Sequence, residues 1–432
     1  MLLRTSDLAS AVGGRLEGPD VTFDGASQDS RAITPGQMFV PIVAERDGHD
    51  FIEAALARGA TTYLTAGRVP GGSGIVVDDT LVALQAAGRH ARSLLPAPVI
   101  GITGSVGKTS VKDLLAAVLS ERYATAASER SFNNEMGVPL TLLGAPDGTE
   151  AVVVEMGARG VGHVAKLCAI ASPTIGVVTS VAAVHTELFG TLDDIARAKG
   201  ELVESLPSDG TAVLFAADLR VAAMAARTSA RVITYGEGGE VCAEGIELGD
   251  DLLPRFQLVS PWGSTDIALA VRGAHQVANA LGAAAAALAA GVDLSAVAAG
   301  LGRGSLSPWR MELATAPGGA LVLNDAYNAN PTSVAAALQS LAALPARRRI
   351  AVLGVMAELG ANEAGEHAAI GSLARELGIR VISIAAPAYK AEDVPTIDAA
   401  LALLNAVGEG DAILVKGSRV AGLERLAAAL LR

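Results

Sequence analysis

Gly101-Ile102-Thr103-Gly104-Ser105-Val106-Gly107-Lys108-Thr109-Ser110 follows the apolar pair Val99-Ile100 and runs into the helical stretch from Val111 to Leu119. A strand, a glycine-rich turn and a helix start in this order cradle a nucleoside triphosphate. Backbone N–H groups of Gly104, Ser105, Val106 and Gly107 can converge on phosphate oxygens, and the helix N-terminus adds partial positive charge. Lys108 can reach the outer phosphates, while Thr109 offers a hydroxyl to Mg²⁺ and Ser110 continues the first turn. The chain is therefore expected to use ATP or GTP. One position departs from the G-x-x-x-x-G-K-[ST] pattern: its first glycine is replaced by Ile102.

Outward from this loop, apolar runs of strand length alternate with helical patterns: Val99 to Ile102, Val152 to Val154, Ile175 to Thr179, Val213 to Phe215 and Val232 to Ile233. Continuous apolar strands separated by helices predict a parallel sheet covered on both faces. Between Val241 and Leu269 the pattern turns to short alternating segments, which predicts antiparallel strands added to that sheet. Pro96-Ala97-Pro98 breaks the chain on one side, and a second boundary falls near Trp309 to Ala314. Beyond it, Leu321-Val322-Leu323, Ile350 to Leu353, Val381 to Ile384 and Ala412 to Val415 alternate with helices again, predicting a smaller doubly wound domain. The fold class is thus α/β in three domains: 1–97, a small α/β unit; 98–312, a phosphate-loop parallel sheet with added antiparallel strands; and 313–432, a Rossmann-like unit.

The 432 residues carry a net charge of −12, and no basic block exceeds Arg347-Arg348-Arg349, so nucleic acid is not the expected partner. Met1 to Asp7 has no continuous apolar core of a signal peptide, which predicts a cytoplasmic protein. The uncharged stretch from Gln276 to Val292 is mostly alanine and reads as a buried helix rather than a membrane span. Cys168 and Cys242 have no metal-ligand spacing and read as packing residues of a reducing compartment. Against 27 arginines stand only six lysines, Lys108, Lys112, Lys166, Lys199, Lys390 and Lys416. In such a chain a lysine can mark a place where a guanidinium, bulkier and always charged, would not serve.

Glu155 ends the apolar run Val152-Val153-Val154 and can hold the Mg²⁺ that Thr109 contacts. His185 ends another strand-like run, Thr179 to Val184. Lys199 and Glu201 lie in a helical pattern reaching Ser205; by pattern alone Lys199 is a solvated face residue.

Thr103 to Thr109, Asn133-Asn134, Glu155-Met156-Gly157, His185 and Ala198-Lys199-Gly200-Glu201 occur in an order that resembles the Mur ligases, ATP-dependent amide-forming enzymes of peptidoglycan synthesis. That family also accepts a non-glycine where Ile102 stands. The resemblance implies that Lys199 is carbamylated and, with His185, holds a second Mg²⁺. It covers nearly the whole chain. Gly273-Ala274-His275-Gln276-Val277-Ala278-Asn279 resembles the family's G-x-H-N-x-x-N segment, which places Asn279 on the adenine but leaves Gln276 without an assigned role. Trp309-Arg310-Met311-Glu312 looks like the hinge segment whose arginine reaches ATP, and Asp325 falls near the ribose.

Ser30 and Arg31 in Asp29-Ser30-Arg31 resemble the UDP-sugar-binding first domain of the last two ligases of the pathway. The Asp-Asn-Pro-Arg run of the diaminopimelate-adding branch is absent. Tyr327-Asn328-Ala329-Asn330-Pro331, Gly354 to Gly360 and Val415-Lys416-Gly417-Ser418-Arg419 look instead like the branch that adds D-alanyl-D-alanine to a UDP-N-acetylmuramoyl tripeptide. Asn133, Asn134, Asn328, Asn330, Lys416 and Ser418 are the expected substrate-binding residues. Lys108, Glu155, His185 and Lys199 are the expected catalytic ones. A monomer that does not enter membranes is expected. The nearest alternatives are the tripeptide-forming ligase and a folate polyglutamate synthetase. A non-catalytic ATP switch is the rival of another class, and it would have no use for the second metal site of Glu155, His185 and Lys199.

Overall fold

The structure, a computed structural model, describes residues 1–67, 69–129, 132–182 and 186–432. The phosphate-loop strand Val99–Thr103 lies inside a six-stranded sheet ordered Arg231–Tyr235, Thr211–Phe215, Ile175–Val178, Val99–Thr103, Ala151–Glu155, Thr125–Ala127. Every pairing in it is parallel. Val99, Val152 and Val154 enter one apolar layer, whereas Ile100, Ile102 and Val153 enter the other. That alternation on a doubly covered sheet is why its strands read as continuous apolar runs. Ile102 pairs with Glu155 on one side and Val177 on the other, and is fully buried. The strand continues through Thr103, so position 102 needs a strand side chain and not a turn glycine.

The antiparallel strands do not extend this sheet. Cys242–Leu248, Pro254–Ser260 and Gly263–Ala268 form a separate three-stranded sheet, joined to the parallel one by a bridge between Tyr235 and Val241. The expectation of added strands is corrected here, and the reason is burial. Phe256, Leu258 and Ile267 turn inward onto the layer formed by helices Lys108–Leu119, Gln276–Ala289 and Leu294–Arg303, so the small sheet covers helices rather than a sheet edge. Its first turn carries Leu252, fully buried at φ +66 among C-terminal residues such as Met311, Leu338 and Leu341.

The C-terminal sheet begins with Glu312–Thr315, antiparallel to Leu321–Asn324, and continues through Asp411–Lys416, Arg348–Leu353, Arg380–Ile384 and Glu392–Val394 in parallel. Helices Pro331–Ala343 and Glu363–Glu376 cover one face, Ile397–Leu403 and Glu424–Leu430 the other. Arg348 of the basic triplet forms a bidentate pair with buried Asp411, whose carboxyl is thereby held down to about 2.

The N-terminal part has a five-stranded sheet, Arg15–Glu17, Ser73–Val76, Thr62–Thr65, Met38–Phe39, Ala26–Ser27, and a ribbon of Leu2–Arg4 with Thr22–Asp24. A 3₁₀ turn, Gly48–Phe51, leads into the α-helix Ile52–Ala57. Helix Thr80–Leu94, capped by Asp79, packs on the central helices Gly137–Leu143 and His163–Ala171. A Cβ on its Gly88 would lie 2.5 Å from Cβ of Pro139. Leu8, Phe23 and Leu64 therefore share one apolar layer with Val152, Val154 and Leu167. Among the described residues no helix is long and apolar enough to cross a membrane.

Candidate active site

The loop after Val99–Thr103 owes its shape to two glycines. Gly104 has φ +144 and a Cβ on it would meet Thr179 Oγ1 at 1.9 Å; Gly107 has φ +89 and a Cβ would meet Asn279 Oδ1 at 2.5 Å. Only glycine fits either position, and each bare Cα lets the backbone approach a ligand closely. The end of the neighbouring strand laces the loop: the Ser105 amide donates to Ser180 O at 2.8 Å, and Thr179 Oγ1 donates to Val106 O at 2.6 Å. Gly107 is the N-cap of helix Lys108–Leu119, so the helix N-terminus opens at the end of the loop. Lys108 Nζ bends back over the loop and donates to Gly104 O at 2.7 Å. Burial and the nearby Arg310 lower its pKa, against the pull of Glu155. Ser110 is buried in the first turn of that helix.

Thr109 Oγ1 donates to Glu155 Oε2 at 2.8 Å, and Asn133 Nδ2 donates to Glu155 Oε1 at 2.8 Å. Glu155 is 1% exposed, so both its oxygens are fixed at the carboxyl end of its strand, where ligands of open α/β sheets bind. Asn134 Oδ1 accepts from the amides of Met136 and Gly137, at 3.2 and 2.9 Å, just ahead of helix Gly137–Leu143. His185 lies outside the described residues. Among those described, no group of three His, Cys, Asp or Glu side chains is gathered for a metal. A hydroxyl and a single carboxylate nevertheless suit Mg²⁺, which keeps waters and substrate oxygens in its shell.

Lys199 is 2% exposed and reaches the cleft, with its ammonium 5.7 Å from the ring centre of Phe189. Burial, together with repulsion from Lys108, lowers its pKa to about 7, and Glu201 and Glu155 oppose this only in part. Its amine thus has an accessible neutral form, as no arginine would. Helix Leu192–Glu204 brings it there because Ile195, Lys199 and Leu202 share the i, i+4, i+7 stripe that faces the core. That spacing is the signal that the solvated-face reading overlooked. Neighbouring Glu201 accepts from the Gly162 and Ala165 amides and so holds the N-terminus of helix His163–Ala171. Gly200 makes room for Arg227, whose guanidinium would come within 1.8 Å of a Cβ there and donates to the carbonyls of Ala196 and Arg197.

The opposite wall comes from helix Gln276–Ala289 and the C-terminal part. Arg310 stacks on the Tyr327 ring at 4.3 Å, between Trp309 at φ +62 and Met311 at φ +52. Two left-handed non-glycine residues around a half-buried arginine store backbone strain at the join between sheets. Ser307 ties this connection to the nucleotide helix, its amide and hydroxyl both donating to Asp113 Oδ2, a partnership without sequence signal. Asp325 accepts from the Met311 amide at 3.2 Å and pairs with Lys416, whose ammonium also donates to Asn328 O at 2.9 Å. The charge of Lys416, one of the expected substrate-binding residues, is therefore already paired within the chain. Ser418 accepts from the Ala357 amide and donates to Ala329 O, which ties together the loops after three C-terminal strands. Asn330 caps helix Pro331–Ala343 in a capping box with Ser333.

These groups enclose a cleft of about 1110 Å³, lined among others by Leu81 and Gln85, Lys108 and Lys199, and Asn328 and Arg419. Asn133, Asn134, Asn279, Arg310, Asp325, Asn330 and Lys416 also face it; Ser418, Ser30 and Arg31 do not. Arg31 lies exposed on the N-terminal part, paired with Asp29 at 2.8 Å. Sequence reasoning gave no role to Arg159, His163 and Lys166, which line the cleft near Leu81 and Gln85 of helix Thr80–Leu94; Arg159 and Lys166 bring positive charge there.

The Mur ligase middle domain matches residues 102–287, and the Mur ligase, glutamate ligase domain matches residues 309–419. The UDP-N-acetylmuramoyl-tripeptide--D-alanyl-D-alanine ligase of Mycobacterium bovis is 39% identical, with 99% of this chain and 98% of that protein aligned. A crystal structure of MurF from Acinetobacter baumannii superposes with a TM-score of 0.91 at 30% identity, covering 100% of this chain and 99% of that one. A MurF ligase from Thermotoga maritima, solved in complex with ADP, gives 0.83 at 26% identity, covering 94% of this chain and 97% of that one.

Proposed function

The chain belongs to the Mur ligase family, and on that footing we propose that it joins D-alanyl-D-alanine to the terminal carboxylate of a UDP-N-acetylmuramoyl tripeptide, with ATP converted to ADP and phosphate. The observation that carries the reading is the meeting of the phosphate loop, the Thr109–Glu155–Asn133 cluster and Lys199 in one cleft whose far wall is the C-terminal sheet. A switch that only binds a nucleotide needs no buried amine beside its metal carboxylate.

A carboxylate is a poor electrophile. Transfer of the γ-phosphoryl group to one of its oxygens breaks the β–γ bond of ATP and makes that oxygen a leaving group. The dipeptide's neutral amine then attacks the acyl carbon, the C–N bond forms, phosphate departs and the amine gives up a proton. The chain contributes positioning and charge compensation. Backbone N–H groups from Gly107 to Ser110 cradle the phosphates, those of Ser105 and Val106 being held by Ser180, and Lys108 leaves its loop carbonyl to meet the transferred group. Asn279 and Arg310 hold the nucleotide from the far wall, with Asp325 at the ribose. Thr109 and Glu155 fit one Mg²⁺, and His185 with a carbamylated Lys199 would hold a second; bound, the ions offset charge on the phosphoryl oxygens. The carbamate forms when neutral Lys199 Nζ attacks CO₂, a C–N bond is made and the nitrogen loses a proton.

Asn133, Asn134, Asn328 and Asn330 line the path of the two peptides, Lys416 and Ser418 brace the C-terminal edge of that path, and Ser30 and Arg31 receive the UDP end. The working units are 1–97, 98–312 and 313–432. All these groups belong to one chain, so a monomer suffices for the reaction, and the use of ATP as co-substrate fits a place in the cytoplasm. Incubating the protein with ATP, D-alanyl-D-alanine and tripeptides ending in diaminopimelate or lysine tests the reading by mass spectrometry. A UDP-linked product heavier by the dipeptide less one water is expected; unchanged tripeptide in both reactions would refute it.

A further inference from the structure

Behind the phosphate loop, three polar side chains form a directional relay that ends on Asn279. Gln276, 2% exposed, lies with its Nε2 3.2 Å from His275 Nε2, and its Oε1 accepts from Asn279 Nδ2 at 2.8 Å. Burial lowers the His275 pKa and so favours the neutral ring, whose Nε2 accepts from Gln276 in the tautomer that carries its proton on Nδ1. With the Gln276 amide nitrogen donating to His275, only its carbonyl is left for Asn279. Asn279 therefore keeps Oδ1 and one N–H for a ligand. The carbonyl rests over Gly107, where a Cβ would come within 2.5 Å, and the side chain lines the cleft.

An acceptor and a donor side by side match the N6 amino group and N7 of adenine. Guanine would set its O6, an acceptor, against Asn279 Oδ1. We propose that Gln276 is a positioning residue that fixes the amide of Asn279 in the orientation that selects adenine over guanine nucleotides. The proposal rests on the reading that ATP lays its base against Asn279. It also gives a role to the position where this chain departs from the family's usual asparagine.

Calorimetric affinities for ADP, GDP and inorganic tripolyphosphate are measured on the full chain and on Gln276→Leu, Gln276→Met, Gln276→Glu and Asn279→Leu. Gln276→Met keeps the unbranched length and serves if Gln276→Leu does not fold. The apolar variants should lose roughly tenfold in the ADP-to-GDP preference while tripolyphosphate affinity stays unchanged. Gln276→Glu should retain the preference, because a carboxylate oxygen still accepts from Asn279 Nδ2. A folded apolar variant with the wild-type preference overturns the proposal, as does equal loss of all three ligands, the mark of a merely structural residue. Retention of the preference in Asn279→Leu would instead refute the placement of the base. Loss there, with the Gln276 variants unchanged, removes only Gln276.

Discussion

Lys199 concentrates the chemistry of the site in one amine. Its depressed pKa has a plain origin: the helix sets it on the apolar stripe, and Lys108 adds like charge from across the cleft. On the proposed mechanism, removing the amine takes away a metal ligand. Lys199→Ala is therefore expected to lower kcat by at least a hundredfold with nucleotide affinity nearly unchanged, and millimolar acetate or a similar short carboxylate should restore part of it. Steady-state kinetics with and without the acid check this. Full activity of the alanine variant would remove Lys199 from the mechanism. At this scale the sequence was most informative where chemistry dictates residue type. The glycines, Lys108, Thr109 and Glu155 stand at the positions that their spacing announced. Gln276 was opaque, because its partners are a neighbour and a residue one helical turn on, and nothing in composition marks that hydrogen bond.

Among elements, helix Thr80–Leu94 does the joining. It follows the N-terminal strands in sequence, yet its small face, Ala83, Ala87, Gly88 and Ala91, is buried and meets central helices. Gly88→Val should push Pro139 and Ile170 apart and destabilise the chain by about 1–3 kcal/mol, as overpacked cores do. Urea unfolding measures it, and an unchanged midpoint would contradict the shared core. The proline break at Pro96-Ala97-Pro98 was legible, whereas the continuity of packing across it was not, since small-residue faces carry little hydrophobic signal. The parallel strands were legible from their unbroken apolar runs. The three antiparallel strands were legible as strands but not as a separate sheet, because a strand's partner depends on tertiary burial, not on its own alternation.

At the scale of the molecule, the small antiparallel sheet links two units. Leu252 leaves its turn to enter the C-terminal core, held at positive φ by the Gly273 amide donating to its carbonyl at 2.8 Å. Leu252→Ala should cost about 2–5 kcal/mol and expose the connection around Trp309–Met311 to limited proteolysis. A variant as stable and as resistant as the parent would deny the sheet this role. Around the same connection, Arg310, Tyr327 and the Asp325–Lys416 pair bring the C-terminal wall against the phosphate loop, so a closed cleft can keep water from the acyl phosphate.

Transfer of an oxygen atom tests the central claim most directly. With the tripeptide's terminal carboxylate labelled in both oxygens with ¹⁸O, reaction with ATP and D-alanyl-D-alanine should release phosphate carrying one ¹⁸O and leave the other in the new amide. Unlabelled phosphate, or phosphate released at the same rate without the dipeptide, would contradict the account.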